Sequence, residues 1–325
     1  MEVIALTGPY PSGVKELLAE LAPSGFEVRT IATTQDFEKL QDANYIILRT
    51  LSLDEQIINS LPNLKFIQRW GVGYDTVDIQ AAGKRNIPVA ITTGINAAPV
   101  SEMAVLLMLA TYRNLIQLFN NVQAGKWREG ASANAYVING KTVGLVGMGN
   151  IGKQVAKKVQ AFGADVKYYD AFRLSPEEEA KLGVTYVEME ELLKTTDIIS
   201  LHVPLTDDTR HLICTATIEL MKPSAIIINT ARGEIISEAD LVVALQNNRI
   251  MGAGLDVVEH EPASKDNPLL TLKNVVVTPH MGAATSDISV SMAKRCMENI
   301  IKVSKGESLG TSDVVNAPFL INSKF

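Results

Sequence analysis

Short apolar runs of strand length alternate with segments of helical periodicity along almost the whole chain. The part that follows residue 140 holds seven such runs: TVGLVG, DVKYYD, VTYVE, DIISLHV, AIIINT, GAGLDVV and NVVVTPH. Runs that are apolar on successive residues predict strands buried on both faces of a parallel sheet, and the helical segments between them predict crossover connections. The pattern therefore predicts an α/β protein with doubly wound parallel sheets.

The first hundred residues repeat this pattern with their own set of elements. The predicted strands are VIALT, FEVRTI, NYIILR, LKFIQR and IPVAI, and the predicted helices are GVKELLAELA, LDEQIINSL and TVDIQAAGKR. A long apolar helix is expected from near Pro99, followed by the connector AGKWREGASANAYVING. The last helix, DISVSMAKRCMENIIKVSKG, has no strand after it. We therefore predict two domains, residues 99–285 and a discontinuous domain of residues 1–98 plus 286–325, because 325 residues suffice for two cores.

Composition and charge exclude several classes of protein. A net charge of −6 without a block of basic residues argues against binding to nucleic acid or to an anionic membrane. The most apolar stretch, MAVLLMLA, falls far short of the roughly 20 residues that cross a bilayer. The start MEVIALTGPY does not read as a secretory signal, and Cys214 and Cys296 are too few for a disulfide framework. The expectation is a cytoplasmic protein without a bound metal.

Three glycines form a phosphate-binding pattern directly after a predicted strand. Gly147, Gly149 and Gly152 give G-x-G-x-x-G at the start of a predicted helix, where backbone N–H groups and the helix N-terminus face a pyrophosphate. Asp170 ends the next strand, 18 residues after Gly152, and suits the ribose hydroxyls of an adenosine. A phosphate on that ribose would be repelled, so NAD (as NADH) is expected over NADP, although Arg173 lies close enough to soften the preference.

Reactive side chains follow three later strands of the second series. Arg232 comes just after one strand, Asp256 and Glu261 at and after the next, and His280 after a third. Ligands of doubly wound sheets bind outside the carboxyl ends of the strands, so these residues are expected to line one side of a crevice. His202 also ends a strand, and we interpret it as a wall of the cofactor site.

These residue types fit hydride transfer to the carbonyl of a 2-oxo acid. The guanidinium of Arg232 can hold a carboxylate and polarise a carbonyl. His280 can supply the proton that the product alkoxide needs, and Glu261 can orient its imidazole and favour the protonated form. The turn RWGVGYDTVD offers consecutive backbone N–H groups that could cradle a small anion, an interpretation we weigh evenly against an ordinary turn. His211 and His260 look peripheral.

The motifs GLVGMGNIG, SLHVPLTDDT, INTARGEIIS, GAGLDVVEHEP, TPHMGAAT and GVGYDTVD resemble, in order and spacing, those of the D-isomer-specific 2-hydroxyacid dehydrogenases. The resemblance implies two Rossmann-like or flavodoxin-like domains with the active site in the cleft between them. It implies Arg232, Glu261 and His280 as the catalytic residues and the backbone of Val72 and Gly73 as the substrate-carboxylate site. The cofactor contacts, taken from the glycine motif and the resemblance together, are Gly147, Met148, Gly149, Asn150, Ile151, Gly152, Asp170, His202, Pro204, Thr209, Thr230, Ala231, Asp256 and Gly282.

The resemblance leaves the substrate open and implies a homodimer. Arg69 stands where the phosphoglycerate dehydrogenases of the family carry an arginine, but Trp70 replaces a small residue there and residues 1–325 leave no room for a regulatory domain. Hydroxypyruvate, glyoxylate and bulkier 2-oxo acids are alternatives to 3-phosphoglycerate, whereas formate is disfavoured because that branch has glutamine at the position of Glu261. A hypothesis of another class is a non-catalytic NAD-sensing scaffold similar to certain corepressors.

Overall fold

The computed structural model describes residues 1–128, 135–310 and 313–321. Its strands are β1 (Glu2–Thr7), β2 (Phe26–Ile31), β3 (Tyr45–Leu48), β4 (Phe66–Arg69), β5 (Val89–Ala90), β6 (Thr142–Val146), β7 (Asp165–Tyr169), β8 (Thr185–Tyr186), β9 (Ile198–Leu201), β10 (Ile226–Asn229), β11 (Gly252–Leu255) and β12 (Val275–Val277). Its α-helices are α1 (Val14–Leu21), α2 (Glu55–Ser60), α3 (Ile79–Lys84), α4 (Ala97–Tyr112), α5 (Leu115–Gln123), α6 (Asn150–Ala161), α7 (Pro176–Leu182), α8 (Met189–Thr195), α9 (Thr215–Ile218), α10 (Glu238–Gln246) and α11 (Ser286–Ser304). Every strand predicted from the sequence is present.

The chain divides into two compact units, one of residues Met1–Asn96 with Ala284–Phe325 and one of residues Ala97–Ala283. The first unit contains a five-stranded parallel sheet in the order β2-β1-β3-β4-β5. This is the flavodoxin-like order, and apolar clusters cover both faces of the sheet. Helix α11 belongs to this unit and packs against α1 and β4.

The end of the described chain closes the free edge of the first sheet. Val314 pairs with Ala90 in an antiparallel bridge beside β5. The buried amide of Asn316 then accepts a hydrogen bond from the Val89 N–H at 2.8 Å and donates to the Ile87 carbonyl at 2.8 Å. One side chain thus satisfies two backbone groups that would otherwise be buried without partners.

The second unit contains a seven-stranded parallel sheet in the order β12-β11-β10-β9-β6-β7-β8. The order in which the chain adds strands to the sheet reverses between β6 and β9, which is the switch point where doubly wound sheets bind ligands. The central strands are buried on both faces, as their apolar runs predict. Two parallel α/β sheets confirm the predicted fold class.

The long apolar helix expected from near Pro99 is present as α4, and a second helix lies between it and the predicted connector. The structure has two helices here, because Asn114 adopts the left-handed conformation, φ 51°, between α4 and α5. The apolar periodicity continues across this break, so the pattern alone does not reveal it. Residues 129–134 of the predicted connector lie outside the described residues. No helix among the described residues is both long and apolar enough to cross a membrane.

The clamp formed by Asn316 gives a stability prediction. Asn316→Ala leaves the Val89 N–H and the Ile87 carbonyl without their partner, and we expect the free energy of unfolding to fall by about 1–3 kcal/mol. Urea unfolding followed by circular dichroism measures the loss. Asn63→Ala is the matched control, because the Asn63 amide makes one exposed hydrogen bond to Gln41. Equal midpoints for the two variants would contradict the role given to Asn316.

Candidate active site

The glycine loop joins β6 to α6 with little space for side chains. Gly147 has a φ of +99°, and a Cβ built on it would lie 2.7 Å from the carbonyl of His202. A Cβ on Gly152 would lie 2.2 Å from the carbonyl oxygen of Gly147. By contrast, no described atom comes within 4 Å of a Cβ built on Gly149. The loop therefore needs glycine for its own turn and packing, and at Gly149 it leaves open space.

Asp170 fixes the glycine loop from the end of β7. Its carboxylate accepts hydrogen bonds from the Met148 N–H at 2.6 Å and from the Phe172 N–H at 2.9 Å. The nearby Arg173 is engaged by Glu179, with 2.8 Å between Nε and Oε1, and lies over the ring of Tyr186. Because the charge of Arg173 is neutralised by Glu179, the negative charge of Asp170 dominates this strand end.

Three neighbouring strands deliver the predicted reactive residues to one edge of the second sheet. β10, β11 and β12 are adjacent and parallel, and Arg232, Asp256 and His280 follow them within the next three residues. The carboxyl ends of parallel strands share an edge, so these residues are brought together. Glu261 reaches the same edge from the loop after β11.

The structure pairs His280 with Glu261. The Nδ1 atom of His280 lies 2.7 Å from Oε2 of Glu261, with 48% of the His280 side chain and 36% of the Glu261 side chain exposed. A carboxylate accepts but does not donate, so Nδ1 carries the proton in this contact and Nε2 is not the atom bound to Glu261. Such a pair can hold and pass a proton at a solvent-accessible edge.

Asp256 positions His280 through the backbone of its loop. The buried carboxylate accepts hydrogen bonds from the hydroxyl of Thr278 at 2.5 Å and from the N–H groups of Met281 at 3.0 Å and Gly282 at 2.7 Å. The backbone carbonyl of Asp256 accepts the N–H of His280 itself at 2.7 Å. His280 has a φ of 54°, a conformation that costs a non-glycine residue energy and that this network maintains. The predicted contact of Asp256 with the cofactor stays a prediction.

Asn229 shapes the turn that carries Arg232, and sequence reasoning missed it. The buried side-chain amide donates to the carbonyl of Arg232 at 2.8 Å and accepts the N–H of Ala231 at 3.0 Å. The guanidinium of Arg232 donates to the carbonyl of Ala231 at 2.7 Å. The available signal was a polar residue that ends the apolar run AIIIN, where a buried amide must find partners.

The remaining predicted cofactor contacts border the same edge. The hydroxyl of Thr230 is buried and has no hydrogen-bond partner within the described ranges, which marks it as available to a ligand. The hydroxyl of Thr209 donates to the carbonyl of Pro204 at 2.6 Å and fixes the loop after β9. Ile151 packs on the core at the start of α6, whereas Asn150 is exposed there.

Burial keeps the imidazole of His202 neutral. Desolvation by burial lowers the pKa of His202 to about 4, and its Nε2 lies 2.9 Å from the hydroxyl of Ser200. His202 is therefore neutral near pH 7. It can act as a wall of the cofactor site or as a hydrogen-bonding group, and its predicted cofactor role stays a prediction.

The predicted substrate turn of the first unit is held by Arg69. Only 7% of Arg69 is exposed, and its guanidinium donates to the carbonyls of Gly73 at 2.6 Å and Arg49 at 3.0 Å. The carbonyl of Gly71 accepts the N–H of Thr92 at 3.0 Å. Arg69 thus shapes the turn that presents Val72 and Gly73, and the contacts of these three residues with a substrate stay predictions.

The second unit fits a dinucleotide. The glycine loop has the required turn and an open position, Asp170 ends the next strand, and the orphan hydroxyl of Thr230 lies at the neighbouring edge. The described residues contain no group of three or more His, Cys, Asp or Glu that could hold a metal ion. Fold and site together define the class of nicotinamide-dependent dehydrogenases with a histidine–carboxylate pair.

Comparison with known proteins gives the family. The profile described as D-isomer specific 2-hydroxyacid dehydrogenase, NAD binding domain, matches residues 105–282. The chain is 40% identical to a glyoxylate reductase of Thermococcus litoralis over 277 residues, which cover 83% of each chain. The chain therefore belongs to the D-isomer-specific 2-hydroxyacid dehydrogenases, as the sequence motifs predicted, and is an NAD-dependent oxidoreductase.

Two further relatives show the breadth of the family. A D-3-phosphoglycerate dehydrogenase of Methanocaldococcus jannaschii is 39% identical over 328 residues, which cover 100% of this chain and 61% of the relative. A crystal structure of a D-lactate dehydrogenase from Aquifex aeolicus, complexed with NAD and lactic acid, has a TM-score of 0.85 at 27% identity and covers 96% of this chain and 99% of that chain. These relatives differ in the substrates that their names give.

The charge of Asp170 generates a cofactor prediction. In Asp170→Asn the side-chain oxygen can still accept the Met148 N–H, but the repulsion of a ribose phosphate is lost. We expect the ratio of kcat/KM with NADPH to kcat/KM with NADH to rise by about tenfold, or 1.4 kcal/mol. Steady-state kinetics with both cofactors measures the ratio. Asp165→Asn, at the exposed opposite end of β7, is the control and should leave the ratio unchanged.

Proposed function

We propose that this chain reduces small 2-oxo acids, such as glyoxylate and hydroxypyruvate, to D-2-hydroxy acids with NADH. The observation that carries the proposal is the hydrogen-bonded pair of His280 and Glu261 at 2.7 Å, at the sheet edge that also carries Arg232. The dinucleotide supplies the hydride when it is bound. The overall reaction adds a hydride to the carbonyl carbon and a proton to the carbonyl oxygen.

In this proposal each residue of the pair has a defined task. Nε2 of His280 donates the proton to the carbonyl oxygen as the alkoxide develops, and Glu261 holds the ring in the tautomer that permits this. Arg232 binds the carboxylate and polarises the carbonyl with its planar guanidinium. The backbone N–H groups of Val72 and Gly73 are the proposed second anchor of the carboxylate. In the reverse direction His280 accepts the proton.

The preference for a small substrate rests on the substrate turn. The guanidinium of Arg69 is used on backbone carbonyls, which weakens the case for a phosphate contact from this residue. Trp70 follows it and packs edge-on against Tyr10 with 5.2 Å between ring centroids, in a turn where the resemblance to the phosphoglycerate dehydrogenases of the family implies a small residue. Several relatives of similar length are also named glyoxylate reductases.

Oxidation of 3-phosphoglycerate is the second candidate function. The phosphoglycerate dehydrogenase relative aligns with the whole of this chain, and Arg69 stands in the matching turn. A substrate panel separates the two candidates, since phosphohydroxypyruvate carries the phosphate that glyoxylate and hydroxypyruvate lack. A higher kcat/KM for phosphohydroxypyruvate would select the second candidate. Bulkier 2-oxo acids complete the panel.

Loss of the proton donor should abolish turnover without abolishing cofactor binding. For His280→Ala we expect kcat for glyoxylate reduction to fall by about 100-fold or more, whereas the Kd for NADH stays within about twofold. NADH oxidation at 340 nm and fluorescence titration measure the two quantities. His260→Ala, which removes an exposed histidine beside Glu261, is the control and should retain activity.

Some results would contradict the proposed reaction. A folded protein that binds NADH but oxidises it with no member of the panel would favour the non-catalytic NAD-sensing scaffold. An equal loss of NADH binding in His280→Ala would make this residue architectural. Either result leaves the family assignment intact.

We further propose a homodimer that forms through α5. None of the nine residues of this fully described helix is buried, and it presents Leu115, Ile116, Phe119 and Val122, with 59% of Phe119 exposed. Contiguous exposed apolar side chains mark interaction surfaces, and the family resemblance implies a dimer. A cytoplasmic location is proposed on the free state of Cys214 and Cys296.

The α5 face gives an assembly prediction. Phe119→Glu places a charge in the centre of the apolar face. We expect the dissociation constant of the dimer to rise by at least about tenfold, because an unpaired charge is costly to bury. Light scattering after size-exclusion chromatography measures the mass. Phe172→Glu, at a site on another surface that is also exposed, is the control. A monomeric unmodified protein, or an unaffected dimer in Phe119→Glu, would contradict the proposal.

A further inference from the structure

A second histidine–carboxylate pair lies beside the one at the candidate active site. Nε2 of His211 lies 2.9 Å from Oε1 of Glu259, two residues before Glu261 in the same loop. His211 adopts a left-handed conformation, φ 52°, in the segment that follows β9. The sequence suggested that His211 was peripheral, but its side chain bridges two segments that are far apart in the chain.

Glu259 also takes part in a reciprocal clamp with Glu238. The N–H of Glu259 donates to Oε2 of Glu238 at 3.0 Å, and the N–H of Glu238 donates to Oε2 of Glu259 at 3.1 Å. Glu238 further accepts a hydrogen bond from the amide of Asn267 at 2.7 Å, so the loop is held before and after Glu261. Two carboxylates so close together need a compensating donor, which His211 supplies.

The hydrogen bonding of the Glu259 carboxylate depends on His211. Partial burial raises the pKa of Glu259, but the hydrogen bonds from His211 and from the Glu238 N–H outweigh it, and the pKa lies below its usual value. Glu259 is therefore ionised at neutral pH and accepts from both neighbours. Removal of His211 would leave the half-buried carboxylate facing Glu238 without the hydrogen bond from the imidazole.

The segment of His211 and the loop of Glu259 both contact the turn that contains Arg232. The N–H of His211 donates to the carbonyl of Glu234 at 2.8 Å, two residues after Arg232. A Cβ built on Gly233 would lie 1.9 Å from the carbonyl oxygen of Val258, so the turn and the Glu261 loop are in direct backbone contact. The Arg232 turn, the Glu261 loop and the His211 segment therefore form one connected body.

We infer that His211, Glu259 and Glu238 form a positioning cluster. The cluster holds the carboxylate of Glu261 in position relative to His280 and Arg232. The inference rests on the proposed function. The carboxylate of Glu261 has a weak second anchor, the Val258 N–H at 3.3 Å from Oε1, so its place depends on the backbone of its loop. A shift of this loop lengthens the 2.7 Å bond to His280 and disturbs proton transfer, because rates depend steeply on such distances. The three residues act through Glu261 and touch no reacting atom.

The test compares two substitutions of His211 in the full-length enzyme. For His211→Ala we expect kcat for glyoxylate reduction to fall by about tenfold, whereas the Kd for NADH and the KM for glyoxylate stay within about twofold. For His211→Gln we expect kcat to recover to within about threefold of the unmodified enzyme, because the side-chain amide can still donate to Glu259. Rescue by a donor distinguishes positioning from a general loss of packing.

A control variant and a readout besides activity complete the experiment. Glu219→Ala breaks a surface ion pair of the same unit, 3.1 Å between Arg249 and Glu219, and should leave kcat unchanged. The Hε1 proton resonance of His280 is observable by NMR, because the chain has four histidines and substitution assigns them. We expect this resonance to move in His211→Ala and to return in His211→Gln.

Each outcome decides the inference. An unchanged kcat and an unmoved His280 resonance in His211→Ala would overturn it. So would a loss of kcat, NADH binding and urea stability in equal proportion in both variants, which would assign the cluster to folding alone. If the unmodified protein reduces no 2-oxo acid, the proposed function fails separately, and the His280 resonance still tests the positioning cluster.

Discussion

The buried carboxylate of Asp256 is the interaction on which the site geometry depends. A carboxylate in the interior is costly unless several donors satisfy it, and here the donors all come from the loop that follows β12. The need to satisfy Asp256 therefore dictates the course of that loop. His280 takes its left-handed conformation as a consequence, and its imidazole is presented toward Glu261.

The parallel sheet of the second unit explains why this loop matters. Its strands carry few polar side chains, so chemistry is confined to the turns after their carboxyl ends. Asn229 shapes the turn after β10 and Asp256 the turn after β11 and β12. Two buried polar residues thus fix the conformation of the turns at the edge of an apolar sheet. Each of them must have its hydrogen bonds satisfied.

Sequence reasoning succeeded where the signal is local. The strands, the glycine loop and the family motifs are each contained in a few consecutive residues, and the structure reproduces the predicted fold class. It missed two features of other kinds. The break at Asn114 depends on a single backbone conformation, and the bridge from His211 to Glu259 joins residues 48 apart in the chain. Periodicity does not encode either feature.

By itself, the sequence determined the α/β class, the glycine loop after β6 and the family to which the chain belongs, and it supplied the residue types proposed for the catalytic chemistry. Only the tertiary structure decided that Nδ1 of His280 is hydrogen-bonded to Glu261, that the guanidinium of Arg69 donates to backbone carbonyls, and that Asp170 holds the glycine loop. The physical reason is the separation along the chain over which each kind of interaction acts. Apolar periodicity and turn chemistry act over a few residues, whereas hydrogen bonds of side chains are chosen only after the strands have assembled.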